Sequence, residues 1–178
     1  MCCGYVARSA LEVDDSSEVR IEKICNIIAQ CRWGIHDLSR TELDPEHHLP
    51  RFNMPLELGI FLGAKRLGTR KQRDKSALVL DVERYRYHKF ISDISGQDIK
   101  AHGNDLRRAV TCVRDWLPSV DPKTTQPGAG GILVDYAKWR QKLPEFCAER
   151  RLMPQELTFN DKTNLIYIWL EETRAKRR

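Results

Sequence analysis

A chain of 178 residues with 41% hydrophobic and 31% charged residues has the size and composition of one globular domain with its own core. No apolar run approaches the roughly 20 residues that cross a bilayer, and the start "MCCGYVARSA" has no signal-peptide pattern, so the expected location is the cytoplasm, with no membrane partner. The net charge of +5 gathers in "KRLGTRKQRDK" and the tail "TRAKRR", but no recognition module accompanies it, which argues against a nucleic-acid partner.

Residues 4–13, "GYVARSALEV", are mostly small and apolar and read as a buried strand. Asp15, three residues ahead of Glu18, gives a capping-box-like start to a helix in which Ile21, Ile24, Cys25 and Ile28 share a face. "WGIHDLS" is a short strand ending at Asp37. A charged loop, "RTELDPEHHLPRFN", leads into a helix that carries Glu57, with Asn53 or Met54 as its N-cap. Residues 76–82, "SALVLDV", form the clearest strand, an apolar run closing on an aspartate.

"ERYRYHKFISDISGQDIKAHG" is long and irregular. "NDLRRAVTCVRDWL" restores the helical period, with Leu106, Ala109, Val110, Val113 and Leu117 on one face. "PSVDPKTTQPGAGG" is a Pro/Gly-rich break. Helical segments over 132–151, interrupted by Pro144, and 160–174 close the chain. The expected organisation is an α/β domain over 1–118, a loop over 119–131 and a helical extension over 132–178 packed on the same domain.

Strands alternating with helices imply a parallel sheet covered on both faces, with ligands held beyond the carboxyl ends of the strands. Residues 10–15, 37–40 and 81–87 leave strand ends and should gather on that edge, where the Glu57 helix also enters. Several chemistries are absent. There is no dinucleotide fingerprint, P-loop or serine-hydrolase elbow. The six cysteines contain no C-x-x-C pair, and the histidines fit no H-E-x-x-H spacing, so neither a metal nor a cofactor is expected. Cys25, Cys31 and Cys112 read as buried thiols, Cys2 and Cys3 as exposed ones. His47 and His48 read as solvated.

Glu57 has two readings. A carboxylate near a helix N-terminus complements the macrodipole, worth about 0.3–1 kcal/mol. Held ionised there, it could also attack, or stabilise, a ribosyl carbon that carries positive charge. Gly59 and Gly63 cost a helix roughly 1 kcal/mol each against alanine, which suggests a close neighbour. Arg51, Phe52 and Asn53 offer a cation, an aromatic face and an amide just ahead of it.

"GIHDLSR", "LPRFNMPLELGIFLGAK" and "FISDISGQDIKAH" resemble a group of small bacterial nucleotide-binding proteins. The stretch from Asp37 to Lys65 is also similar to TIR-like and nucleoside 2-deoxyribosyltransferase-like domains. The resemblance implies a flavodoxin-like three-layer sandwich and a glutamate acting on an N-glycosidic bond, in deoxyribosyl transfer or NAD hydrolysis. On this chain that glutamate is Glu57, with Asp37, Ser39, Arg40, Arg51, Phe52 and Asn53 lining the pocket. Ser39 and Arg40 would hold hydroxyl or phosphate groups, or simply form a strand-end turn. Phe52 would stack a base or join the core. Relatives carry a strand and helix ahead of the position of Gly4, which this sequence does not show; the sheet would then lack a central strand and expose its neighbours.

Tyr85, Tyr87 and Phe90 would form a lid, with Gln97 and Asp98 near the ribose, unless Phe90, Ile91 and Ile94 pack the segment down. The expected partner is a nucleoside or nucleotide, with self-assembly as a further expectation. The alternative to an enzyme is a non-catalytic nucleotide-sensing or self-assembling module.

Overall fold

The computed structural model describes residues 3–175, without the side chain of Arg174. Cys2 and the last three residues of the basic tail therefore lie outside the described residues. In chain order the elements are α1 (Arg20–Gln30), β1 (Trp33–Asp37), α2 (Asn53–Leu67), the short α3 (Arg70–Arg73) and β2 (Ser76–Asp81). Two 3-10 turns (Arg86–Lys89 and Ser92–Ile94) precede β3 (Lys100–Ala101), and α4 (Leu106–Val120), α5 (Ala129–Glu149) and α6 (Phe159–Ala175) follow. The fold is α/β, with a three-stranded parallel sheet in the order β1-β2-β3 and helices at the C-terminal end.

Register fixes which side chains share a face. His36 pairs with Val79 and Gly34 with Ala77, and these four face α2. Leu58 and Leu62 of α2 pack with Val79 and Leu38, while Phe61 joins Ile24 and Ile28 of α1. Leu78 and Leu80 point the other way, where α4 meets β2. A separate core forms from Trp139, Phe146, Cys147, Leu157, Leu165 and Trp169, so α5 and α6 carry their own apolar seam. Among the described residues no helix is long and apolar enough to cross a membrane.

Residues 4–13 are not a strand. They run as coil and turn, with Val6 73% exposed. Apolar composition alone cannot make a strand without a neighbour to pair with, and a cavity separates this segment from β1. The capping box also gives way. Asp15 accepts the Ser17 backbone N–H at 2.8 Å and its hydroxyl at 2.7 Å, a local turn that competes with helix initiation. The helix starts at Arg20 after an uncapped Val19, and Ile21 and Cys25 are exposed while Ile24 and Ile28 are buried.

Glycine and proline break the chain less than expected. Ala129, Gly130 and Gly131 fall inside the first turn of α5, and Gly128 is its N-cap. Pro144 sits within an unbroken α5; it frees the carbonyl of Arg140, an exposed residue that water can solvate. Cys147, not Cys25, is the buried thiol, and Cys31 and Cys112 are half-buried.

Candidate functional site

Two polar sites sit around the sheet. The first lies at the strand carboxyl ends. Asp37 closes β1, and its Oδ1 accepts the backbone N–H of Ser39 at 3.0 Å. His102, just past β3, brings Nε2 to 3.4 Å from the same oxygen. Its Nδ1 accepts the Asn104 N–H at 3.1 Å, which puts the proton of the neutral ring on Nε2, facing Asp37. The Asp37 carboxyl is held below the usual carboxylate range: burial pushes it up, but the Ser39 and His102 hydrogen bonds outweigh that. Asp81 closes β2 and is fully buried, with Arg86 Nε at 2.7 Å and the Val82 N–H at 2.7 Å on Oδ1.

The second site is a cavity of about 620 Å³ beside β1. Glu57 lines it from α2, with Met54 and Phe61 at helical spacing on the same face. Pro55 is tolerated because it falls in the first turn, where backbone N–H groups lack helical partners. Phe52, not Asn53 or Met54, is the N-cap, so Glu57 is the fifth helical residue and lies past the first turn. The macrodipole reading weakens accordingly. Burial raises the Glu57 carboxyl above its ordinary value, and the charge of Arg20 opposes that rise. Glu57 is the one carboxylate among the described lining residues, and Arg20 enters the same cavity from the first position of α1.

His36 lines the cavity floor against Phe61, ring centroids 5.2 Å apart. Both its ring nitrogens are buried without a partner, and burial lowers its pKa to about 4, so it is neutral at pH 7. Gly34 makes that packing possible: a Cβ there would stand 2.7 Å from His36 Nε2 and 2.8 Å from Phe61 Cε2. Gly59 and Gly63 have no such reason. Nothing lies within 4 Å of a Cβ built at either, so the close neighbour expected of them is absent.

Of the residues singled out in the sequence, Glu57 lines the cavity, whereas Asp37 and Ser39 gather at the strand ends. Arg40, Arg51, Phe52 and Asn53 are exposed on the approach to α2 and lie outside the cavity lining. Tyr87 is buried in the core with Leu38, Leu58 and Val79, and Phe90, Ile91 and Ile94 pack beside it, so the segment is anchored. Gln97 and Asp98 are exposed next to β3, with Asp98 paired to Lys100 at 2.6 Å. His47 hydrogen-bonds Asp44 at 3.1 Å while remaining exposed. His36, Arg86 and His102 were not foreseen. Only the strand position of His36 and the aspartate ending β2 hinted at them.

Among the described residues no group of three or more His, Cys, Asp or Glu side chains is placed to hold a metal ion. No family model, no curated protein and no solved structure matches the chain.

Proposed function

We propose that the chain binds a nucleoside or nucleotide at the Glu57 cavity and cleaves or transfers at its N-glycosidic bond. The observation that carries this reading is a single half-buried carboxylate, opposed by one arginine, facing a cavity of ligand size. The Glu57 carboxylate would attack the anomeric carbon as the bond to the base nitrogen breaks. That electron pair leaves with the base, which takes a proton from water. Water or an acceptor nucleobase then displaces the glutamyl ester and frees Glu57. Arg20 favours the ionised form that the first step needs.

The finer architecture belongs to the same proposal. A flavodoxin-like, TIR-like or deoxyribosyltransferase-like domain would put α2 on one face of the parallel sheet and α4 on the other. One observation favours a second reading, a non-catalytic nucleotide-sensing or self-assembling module. No described residue hydrogen-bonds the Glu57 carboxylate, so nothing fixes its aim at a reacting carbon.

The test is chromatography of NAD, nucleosides and deoxynucleosides incubated with the protein beside Glu57→Ala and Glu57→Gln. Free base released by wild type and by neither variant supports the enzyme. Ligand binding without release, retained in Glu57→Gln, supports the module. Neither binding nor release by folded protein sinks both.

A further inference from the structure

The inner limit of the cavity is a row of unpaired backbone. Ser76 donates its N–H to Arg32 O at 3.1 Å and Leu38 donates to Leu80 O at 2.8 Å. Backbone groups alternate sides along a strand, so those of Arg32, Gly34, His36 and Leu38 face β2, and those of Trp33, Ile35 and Asp37 face away. No described strand pairs with that outer edge. The opposite wall is the coil at residues 5–11, where the backbone of Val6 and Ala7 makes no hydrogen bond among the described residues.

The two faces of the gap are closed by helices. Ile24, Ile28 and Phe61 form one side, Val113, Trp116 and Leu117 the other. The charged lining groups are Arg8, already bound to Glu12, and the pair Arg20 and Glu57, so the stretch along β1 is uncharged and mostly apolar, with the His36 ring as its polar exception. Ile35 shows what is missing: it is 48% exposed, while Leu78, its register partner on the same face, is 2% exposed.

The volume is of the order that one strand fills. A five-residue strand needs a slot about 16 Å long, about 4.8 Å wide and about 10 Å between covering layers, on the order of 800 Å³. The cavity holds about 620 Å³. We propose that this slot seats one uncharged β-strand of about five residues, apolar on both faces, supplied by a second polypeptide chain and hydrogen-bonded to Trp33, Ile35 and Asp37 of β1. A small ligand satisfies one point of such an edge, whereas a strand satisfies the whole alternating row. Layers on both faces call for a continuous apolar run rather than alternation. The β1 edge of another copy cannot enter, because its own flanking walls surround it. The strand would compete with the proposed nucleoside for this one cavity, but its hydrogen bonds run to the β1 edge and not to Glu57, so peptide binding and base release are separate readouts.

The probe is a capped peptide, Val-Ile-Val-Phe-Val between lysine pairs, with a second version N-methylated at alternate residues. The expected result is saturable quenching of tryptophan fluorescence and amide exchange slowed about tenfold or more at Trp33, Ile35 and Asp37. The methylated peptide should not bind, and Ile35→Asp should lose binding while keeping its circular dichroism. No saturable binding, equal binding of the methylated peptide, or protection elsewhere would overturn the proposal. So would protection of the same amides by a nucleoside, or their protection in a dimer of the free protein.

Discussion

Arg86 donates from Nε to the fully buried Oδ1 of Asp81 at 2.7 Å, while its Nη2 reaches the backbone oxygen of Leu38 at 2.6 Å. One guanidinium thus ties the end of β2 to the residue after β1 and neutralises a carboxylate that water cannot reach. Removing it strands a buried charge, a loss of about 3–5 kcal/mol. Arg86→Ala should lower the urea midpoint accordingly. Asp81→Asn with Arg86→Ala should recover part of the loss, because the uncompensated charge is gone. A single variant as stable as wild type would show that solvent reaches Asp81.

Gly59 and Gly34 make opposite predictions from one kind of measurement. Gly59 lies in mid-helix with open space at its Cβ position, so Gly59→Ala should stabilise by about 0.5–1 kcal/mol. Gly34→Ala would push a methyl against the fixed rings of His36 and Phe61 and should cost about 1–3 kcal/mol. Thermal melts of the two variants decide it. A destabilised Gly59→Ala would mean that α2 has a close neighbour after all.

The elements legible in the sequence are those whose signal is local. The apolar runs of β1 and β2 and the helical periods of α2 and α4 need no knowledge of partners. That Glu57 stands on a helix is legible too, but strand order alone puts it at the carboxyl edge with Asp37 and Ser39, whereas it lines the cavity beside β1. Residues 4–13 misled because strand formation depends on a neighbour, and β3 is only two residues long, too short for alternation to register. That residues 37–40 and 81–87 meet at the strand ends follows from the strand order, but which side chains pair there does not. His102 reaches Asp37 across 65 positions and Arg86 reaches Leu38 across 48, pairings that no spacing rule encodes.

Lys75 is a buried clamp on the end of α1. Its Nζ donates to Ile28 O at 2.5 Å and to Cys31 O, and it stands 5.0 Å from the Phe61 ring centroid. The Ile28 carbonyl otherwise accepts only the Cys31 N–H at 3.3 Å, and the Cys31 carbonyl lies past the helix end, where a cation is also favoured by the dipole. Lys75→Met keeps the stem but orphans the Cys31 oxygen and leaves Ile28 O with one long bond, at a cost of roughly 1–3 kcal/mol. Urea denaturation measures it, and amide exchange should rise first in the last turn of α1. Exchange rising evenly across the protein would contradict a local clamp.

His36 makes the stability depend on pH in a window set by its own shift. Its folded pKa is about 4, lowered by burial, against 6.5 when free. Above pH 6.5 both states are neutral and the contribution is fully present. As pH falls toward 4 the unfolded chain takes up a proton that the folded one refuses, and up to about 3 kcal/mol is lost. Glu57, with its raised carboxyl, acts in the opposite sense: its contribution is present at low pH and fades as pH rises through the raised value. The clean readout is therefore the difference between wild type and His36→Leu, in which Glu57 cancels. Urea midpoints at pH 7, 5.5 and 4 should fall more steeply for wild type, so its stability relative to His36→Leu should drop by up to about 3 kcal/mol between pH 7 and pH 4, whichever is the more stable at pH 7. Parallel curves would mean that His36 titrates in the folded protein as it does in the free chain, and that water reaches its ring.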